Sequence, residues 1–231
     1  KRNALHPDLV KNLKSKLSEF EIDESIKSII ITGEGNTFCA GADLEYLKML
    51  GGYSVIEKQK DSKSLAELYL QLYAFPKPTI VAVNGAAIAG GCGLTSVCDF
   101  IIAHPEKSKF GYPEVKIGFI PAIVSIFLIK KVGEGLAKQL MLEGELISGK
   151  RAYEIGFANY LAENVLNEAM KLSEKINSNS ASSLKMTKTM INNISNLSVR
   201  EAVEHCISLN VISRSTEDFK RGIDTFLSKD K

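Results

Sequence analysis

Three short segments hold the residues best suited to chemistry. Gly33-Glu34-Gly35-Asn36-Thr37-Phe38-Cys39-Ala40-Gly41-Ala42-Asp43 follows an isoleucine-rich run. Asn84-Gly85-Ala86-Ala87-Ile88-Ala89-Gly90-Gly91-Cys92-Gly93 follows Thr79–Val83. Small residues let backbone N–H groups come close to a ligand, and glycine reaches positive φ. Two such donors converging from different turns make an oxyanion hole, where losing one donor typically costs about 10²–10³ in rate. A tight turn packing a helix on a sheet uses the same residues, so either segment alone is as well read that way. As a pair at two strand ends, they point to a site. The third segment is Phe110-Gly111-Tyr112-Pro113-Glu114-Val115, followed by Gly118-Phe119-Ile120-Pro121. Glu114 stands among Tyr112, Val115, Ile117 and Phe119, and burial there raises a carboxyl toward the range useful for proton transfer. A surface carboxylate at a helix start fits Glu114 alone equally well.

These segments need elements to hold them. Leu9, Val10, Leu13, Leu17 and Phe20 recur at helical spacing, which predicts a helix from Asp8 to Phe20 with Asp8 as its cap. Ser28–Thr32, Thr79–Val83 and Phe100–Ala103 are continuous apolar runs, the pattern of strands buried on both faces. The second glycine-rich segment opens a helix, Gly91–Cys98, whose positive dipole end points into the crevice. Gly51–Ser64 is polar and reads as a mobile loop or the solvated start of a helix. Beyond Gly133 strand signals nearly vanish, and helices are predicted over 135–142, 150–156, 164–176, 182–194, 198–213 and 216–228. The expected architecture is an α/β core over residues 1–132 and an all-helical C-terminal region over 133–231.

Composition removes several function classes. With 231 residues, 45% of them hydrophobic, the chain can fill a sizeable core, and disorder is excluded for most of it. A net charge of +2 with no basic stripe argues against nucleic acid as a partner. The longest apolar stretch, Ile117–Ile129, is broken by Gly118, Pro121 and Ser125, and falls short of the roughly 18–20 residues that span a bilayer. No membrane association is expected, and no apolar signal segment follows Lys1-Arg2-Asn3, which points to the cytosol or an organelle matrix, with a cytoplasmic protein as the expectation. Cys39, Cys92, Cys98 and Cys206 form no C-x-x-C and do not pair with His6, His104 or His205 at ligand spacing, so no metal site is expected. Gly144–Lys150 matches a phosphate-loop pattern, but Arg151 stands where magnesium binding needs Ser or Thr, and no strand precedes it.

The three segments in this order resemble the signatures of the crotonase family, the enoyl-CoA hydratase/isomerase superfamily. Asn3-Ala4-Leu5 is similar to its N-A-L, and Phe38-Cys39-Ala40-Gly41-Ala42-Asp43-Leu44 to its F-x-A-G-A-D-L. Val83-Asn84-Gly85 through Gly91-Cys92 with Cys98-Asp99 is similar to the second signature. Phe110-Gly111-x-Pro113-Glu114 with Gly118-x-x-Pro121 is similar to the third. The resemblance covers essentially the whole chain. It implies a β-β-α superhelix, an acyl-CoA substrate and an enolate held by the Ala42 and Gly90 N–H groups, with Glu114 as acid/base. CoA is implied as part of the substrate, with no permanently bound cofactor. It implies CoA and substrate contacts at Ala4, Ala40, Asp43, Leu44, Gly91 and Tyr112, and Lys229 as a candidate for the CoA phosphates. Tyr46, Leu47, Met49, Ile123 and Phe127 are candidate pocket residues. A homotrimer or hexamer joined by the C-terminal helices is implied. So are two strands ahead of Asn3, so the chain is expected to lack its first segment.

Two departures stand out. The family's hydratases carry a second glutamate, which falls at Gly93, and Ala122-Ile123-Val124-Ser125 replaces a glycine-rich turn after Pro121. A single carboxylate suits either a hydratase in which Glu114 handles both proton steps or a Δ3–Δ2 enoyl-CoA isomerase. A decarboxylase, a thioester hydrolase and a non-catalytic acyl-CoA-binding protein remain as alternatives.

Overall fold

The computed structural model describes residues 2–229, with the side chains of Leu44 and Lys229 outside the description. Two four-stranded sheets form its core. The first runs β1 (Ile29–Thr32), β3 (Thr79–Val83), β5 (Phe100–Ala103) and β8 (Tyr160–Leu161), all parallel. The second runs β2 (Thr37–Cys39), β4 (Ala86–Ile88), β6 (Lys109–Gly111) and β7 (Ile147–Ser148), antiparallel only at β7. Successive turns of the chain therefore lay one strand in each sheet and then a helical segment, the β-β-α superhelix expected.

The three long apolar runs are the strands β1, β3 and β5, side by side, and β3 is buried at all five positions. A parallel strand covered on both faces has no polar side to show. The second sheet differs from the sequence reading, in which the glycine-rich segments lead straight into helices. Each of them contains a three-residue strand, β2 or β4. Three residues are too few to display an alternation, so the strands hide in what reads as a turn.

Helix α1 spans Pro7–Ile22 and buries Val10 and Leu17. Its cap is His6, not Asp8, and the Asp8 N–H donates to the His6 ring at 3.4 Å. Pro7 dictates this, because proline lacks an N–H and its fixed φ suits the first helical position. After α2 (Leu44–Leu50) and a short turn, α3 runs from Val55 to Tyr73. Its start is a reciprocal Ser54–Glu57 capping box, so most of the polar stretch is helix.

Helix α4 (Gly90–Val97) follows β4, and a 3₁₀ turn over Pro113–Ile117 follows β6. Helix α5 (Ala122–Glu143) is interrupted at Gly133, where φ is 79°. The remaining helices are α6 (Gly149–Glu154), α7 (Val165–Asn177), α8 (Ala181–Ile194), α9 (Val199–Arg214) and α10 (Glu217–Lys229). The C-terminal region is helical apart from the two-residue strands β7 and β8. Helix α7 covers the first sheet, with Val165, Ala169 and Ile176 against Ile80, Ala82 and Ile102. Asp99 fastens this layer, accepting from the Thr79 N–H at 2.8 Å and from Lys188 of α8 at 2.6 Å. Helices α8 and α9 bury no residue, and α9 leaves Val199, Val203, Ile207 and Val211 exposed. Among the described residues no helix is long and apolar enough to cross a membrane.

Candidate active site

A cavity of about 940 Å³ opens where the two glycine-rich turns, the 3₁₀ turn, the start of α5 and helices α2 and α3 meet. Three backbone features bring the turns there. Asn3 donates its side-chain amide to the Glu34, Thr37 and Phe38 carbonyls at 3.0, 2.8 and 3.2 Å. Asn84 donates to the Gly33 and Gly35 carbonyls, both at 2.8 Å. Gly41 takes φ +84°, and a Cβ there would stand 2.7 Å from the Ile88 carbonyl oxygen, so only glycine lets the first turn approach the second.

Ala42 and Gly90 both line the cavity. The bridge beside Ala42 is made by the Leu5 N–H, which donates to the Gly41 carbonyl at 2.8 Å. In that parallel pattern the N–H of Ala42 itself faces the other way. Gly90 is the first residue of α4, and the first intrahelical bond is Gly93 N–H to the Ala89 carbonyl at 2.9 Å. First-turn N–H groups have no partner within a helix. Two backbone donors without protein acceptors among the described residues thus border one space. Ala89, just ahead, holds φ 52° and ψ −121°, a conformation that L-residues other than glycine avoid.

Glu114 sits in the 3₁₀ turn, only 7% exposed, and faces the same cavity. Its Oε2 has no hydrogen-bond partner among the described residues. Burial raises its pKa, and its own backbone N–H pulls the other way more weakly. The buried reading of Glu114 is therefore the one the structure shows.

The opposite wall holds residues that sequence reasoning missed. Tyr69 of α3 is fully buried at the cavity edge and donates its hydroxyl to the Gly90 carbonyl at 2.8 Å. Burial, the nearby Cys39 thiol and the Glu114 carboxyl keep that phenol protonated well above the usual tyrosine range. Asp61 accepts from the Tyr46 hydroxyl at 2.7 Å, and both line the cavity. Tyr69 reads in the sequence as one more apolar position of a helix, and only its contact with a distant turn marks it.

Gly93 lies behind this wall. A Cβ on it would stand 2.3 Å from Cγ1 of Val124 and 3.2 Å from the Tyr69 hydroxyl. Val124 thus fills the room that a side chain at position 93 would need.

The structure distributes the other candidate residues unevenly. Ala40, Tyr46, Leu47 and Ile123 line the cavity, whereas Ala4, Asp43, Met49, Gly91, Tyr112 and Phe127 do not. Asp43 is the cap of α2, accepting from the Glu45 and Tyr46 N–H groups at 2.9 and 3.1 Å. Gly91 packs on Cys39, whose carbonyl oxygen would be 2.3 Å from an added Cβ. Tyr112 and Phe127 are core residues: Tyr112 is buried between β6 and the 3₁₀ turn, and α5 turns Phe127 onto Tyr69 and Tyr73. Leu44 starts α2, but its side chain and that of Lys229 lie outside the described residues. Among the described residues no group of three His, Cys, Asp or Glu side chains is placed to hold a metal ion.

With the geometry in view, comparison with known proteins is direct. The family described as enoyl-CoA hydratase/isomerase matches residues 1–231. The chain is 37% identical to a putative enoyl-CoA hydratase of Thermus thermophilus, over 99% of this chain and 91% of that protein. It is 32% identical to a crotonyl-CoA hydratase of Syntrophomonas wolfei, over 99% and 88%. Among solved structures, an enoyl-CoA hydratase from Shewanella pealeana superposes with a TM-score of 0.94 at 27% identity, over 99% of this chain and 86% of that one. A putative enoyl-CoA hydratase/isomerase (crotonase) from Legionella pneumophila gives 0.91 at 30%, over 99% and 89%. The chain belongs to the enoyl-CoA hydratase/isomerase family.

Proposed function

We propose, from this membership, that the protein is an enoyl-CoA hydratase that takes an acyl-CoA thioester through an enolate, with Glu114 as its single acid/base. The observation that carries this is the shared cavity, bordered by the Ala42 and Gly90 N–H groups and by a buried carboxyl whose Oε2 has no partner among the described residues. The thioester oxygen accepts from both N–H groups, so charge developing on it meets fixed donors. The Glu114 carboxylate takes a proton from water, the hydroxyl oxygen bonds to C3, and the C2=C3 electrons move onto the thioester as an enolate. Protonated Glu114 then gives that proton to C2, so one water is added across the double bond. Relatives named as hydratases favour this direction.

A second reading, Δ3–Δ2 isomerisation, is favoured by Val124 packed against Gly93. There Glu114 removes a proton from C2 of a 3-enoyl-CoA and returns it to C4, with no water involved. In either reading the backbone at Ala4, Ala40, Asp43 and Leu44 holds the CoA, which arrives and leaves with the substrate. Gly91 and Tyr112 then support the second turn from behind. The exposed apolar stripe on α9 supports subunit contacts through the C-terminal helices, as in a trimer or hexamer.

Incubation with crotonyl-CoA and with 3-hexenoyl-CoA in D₂O, followed by mass spectrometry, tests this. Hydration of crotonyl-CoA is the expected result, and conversion of 3-hexenoyl-CoA without hydration would establish the isomerase. Glu114→Gln should lower turnover by about 10²–10⁴ while CoA-thioester binding persists. Binding without any turnover in the unaltered protein would make it a non-catalytic family member.

A further inference from the structure

Resting on the oxyanion-hole reading above, we propose that Tyr69 is a positioning residue that holds the Gly90 turn in register for the thioester oxygen. The turn is strained where it matters. Ala89 occupies φ 52° and ψ −121°, a region that is strained for a non-glycine residue and persists only where surrounding structure over-determines it. Relaxation of Ala89 rotates the Ala89–Gly90 peptide, whose N–H is the donor facing the cavity. Three bonds oppose that rotation. The Ala89 N–H donates to the Gly111 carbonyl at 2.8 Å, and the Gly93 N–H to the Ala89 carbonyl at 2.9 Å. The third is the Tyr69 hydroxyl on the Gly90 carbonyl at 2.8 Å, the only one of the three supplied by a side chain.

The placement of Tyr69 is tight. Its hydroxyl lies 2.9 Å from where a Cβ on Gly90 would stand and 3.2 Å from one on Gly93. It therefore occupies the flank of the turn that a side chain at position 93 would otherwise reach. It is fully buried at the cavity edge with its hydroxyl committed to the Gly90 carbonyl, so its effect on the substrate runs through Gly90. Its phenol stays protonated and remains a donor throughout the working range.

The test compares wild type, Tyr69→Phe and Tyr69→Phe/Ala89→Gly. Isotope-edited infrared spectroscopy of bound butyryl-CoA labelled at the thioester carbonyl reads donor strength, because hydrogen bonding lowers that stretching frequency. Turnover of crotonyl-CoA gives kcat and KM separately. Tyr69→Phe should lower kcat about tenfold with KM within about twofold, since a donor that drifts is missed chiefly in the transition state. The carbonyl shift should shrink with it. Adding Ala89→Gly relieves the strain that the clamp opposes, so the double variant should recover much of both. It also supplies an unstrained background for the loss of the hydroxyl. An unchanged carbonyl shift in Tyr69→Phe, or equal losses with and without Ala89→Gly, would overturn the proposal. A wild-type protein that leaves the bound carbonyl unshifted would instead overturn the oxyanion-hole reading, and this proposal with it.

Discussion

Gly93 and Val124 should be energetically coupled, and the coupling can be worked from their geometry. A Cβ at position 93 would approach Val124 Cγ1 to 2.3 Å, while carbon atoms in contact rest about 3.5–4.0 Å apart. Val124 is buried, so it has little freedom to withdraw by more than an ångström. Overpacking of this kind costs about 1–3 kcal/mol, against which alanine regains about 0.8–1.0 kcal/mol over glycine inside α4. Gly93→Ala alone should therefore be neutral to about 2 kcal/mol destabilising. Val124→Ala alone loses two buried methyl groups, about 1.6 kcal/mol at roughly 0.8 kcal/mol each. In the double variant the clash is gone, because the residual neighbours are Val124 Cβ at 3.1 Å and the Tyr69 hydroxyl at 3.2 Å, which need to yield only slightly. The double variant should then be more stable than the sum of the singles by about 1–3 kcal/mol. Urea unfolding at constant m measures this directly, and thermal melts should show it at about 2–4 °C per kcal/mol for a chain of this size. Additivity to within about 0.5 kcal/mol would refute the packing argument. The same geometry predicts that Gly93→Glu does not by itself install a second working carboxylate, and that it needs Val124 reduced to make room.

Three further outcomes follow from the structure. Burial raises the Glu114 pKa above its unfolded value, so the folded state binds more protons between the two values and loses stability as pH rises through them. Glu114→Gln should melt above wild type at neutral pH, with the difference disappearing below the unfolded carboxyl value. Cys39, Cys92 and Cys98 are buried, with thiols pushed up to about 11, about 12 and about 12, whereas Cys206 is half-exposed on α9. Thiol reagents on the native protein should therefore modify Cys206 first, and Cys206→Ser should remove the fast phase. Ala89→Gly should raise stability by about 1 kcal/mol, the relieved strain less the entropy of the added glycine, read as a higher melting temperature.

What the sequence disclosed and what it withheld divide along physical lines. Thr79–Val83 and Phe100–Ala103 were legible to the residue because a strand covered on both faces must be apolar throughout. The helices after Gly133 were legible because amphipathic periodicity survives over many residues. Strands β2 and β4 were not, since three residues inside a glycine-rich turn carry no period. The Ser54-x-x-Glu57 box was present in the sequence and decides between the two readings of Gly51–Ser64 in favour of the helix start. Residue type and order singled out Glu114 and the two turns, and the structure sets all three around one cavity. Tyr112, two residues before Glu114, is buried outside the cavity lining, because the chain passes from β6 into the 3₁₀ turn between them and the two side chains follow no common period.

The substitution at position 93 is the sharper lesson, because its meaning lies in residues remote from it in sequence. Read alone, Gly93 marks only the position at which the family resemblance expects a second carboxylate. In space, Val124 occupies the room and the Tyr69 hydroxyl flanks it, bonded to the very residue whose N–H borders the cavity. A side chain lost without such neighbours leaves a void, and a void of that size weakens packing around it. Here the neighbours are buried and close, and Glu114 keeps its carboxyl in the cavity. The same Tyr69 hydroxyl is bonded to Gly90, next to the strained Ala89, so the packing at position 93 and the geometry of the cavity turn belong to one set of buried contacts.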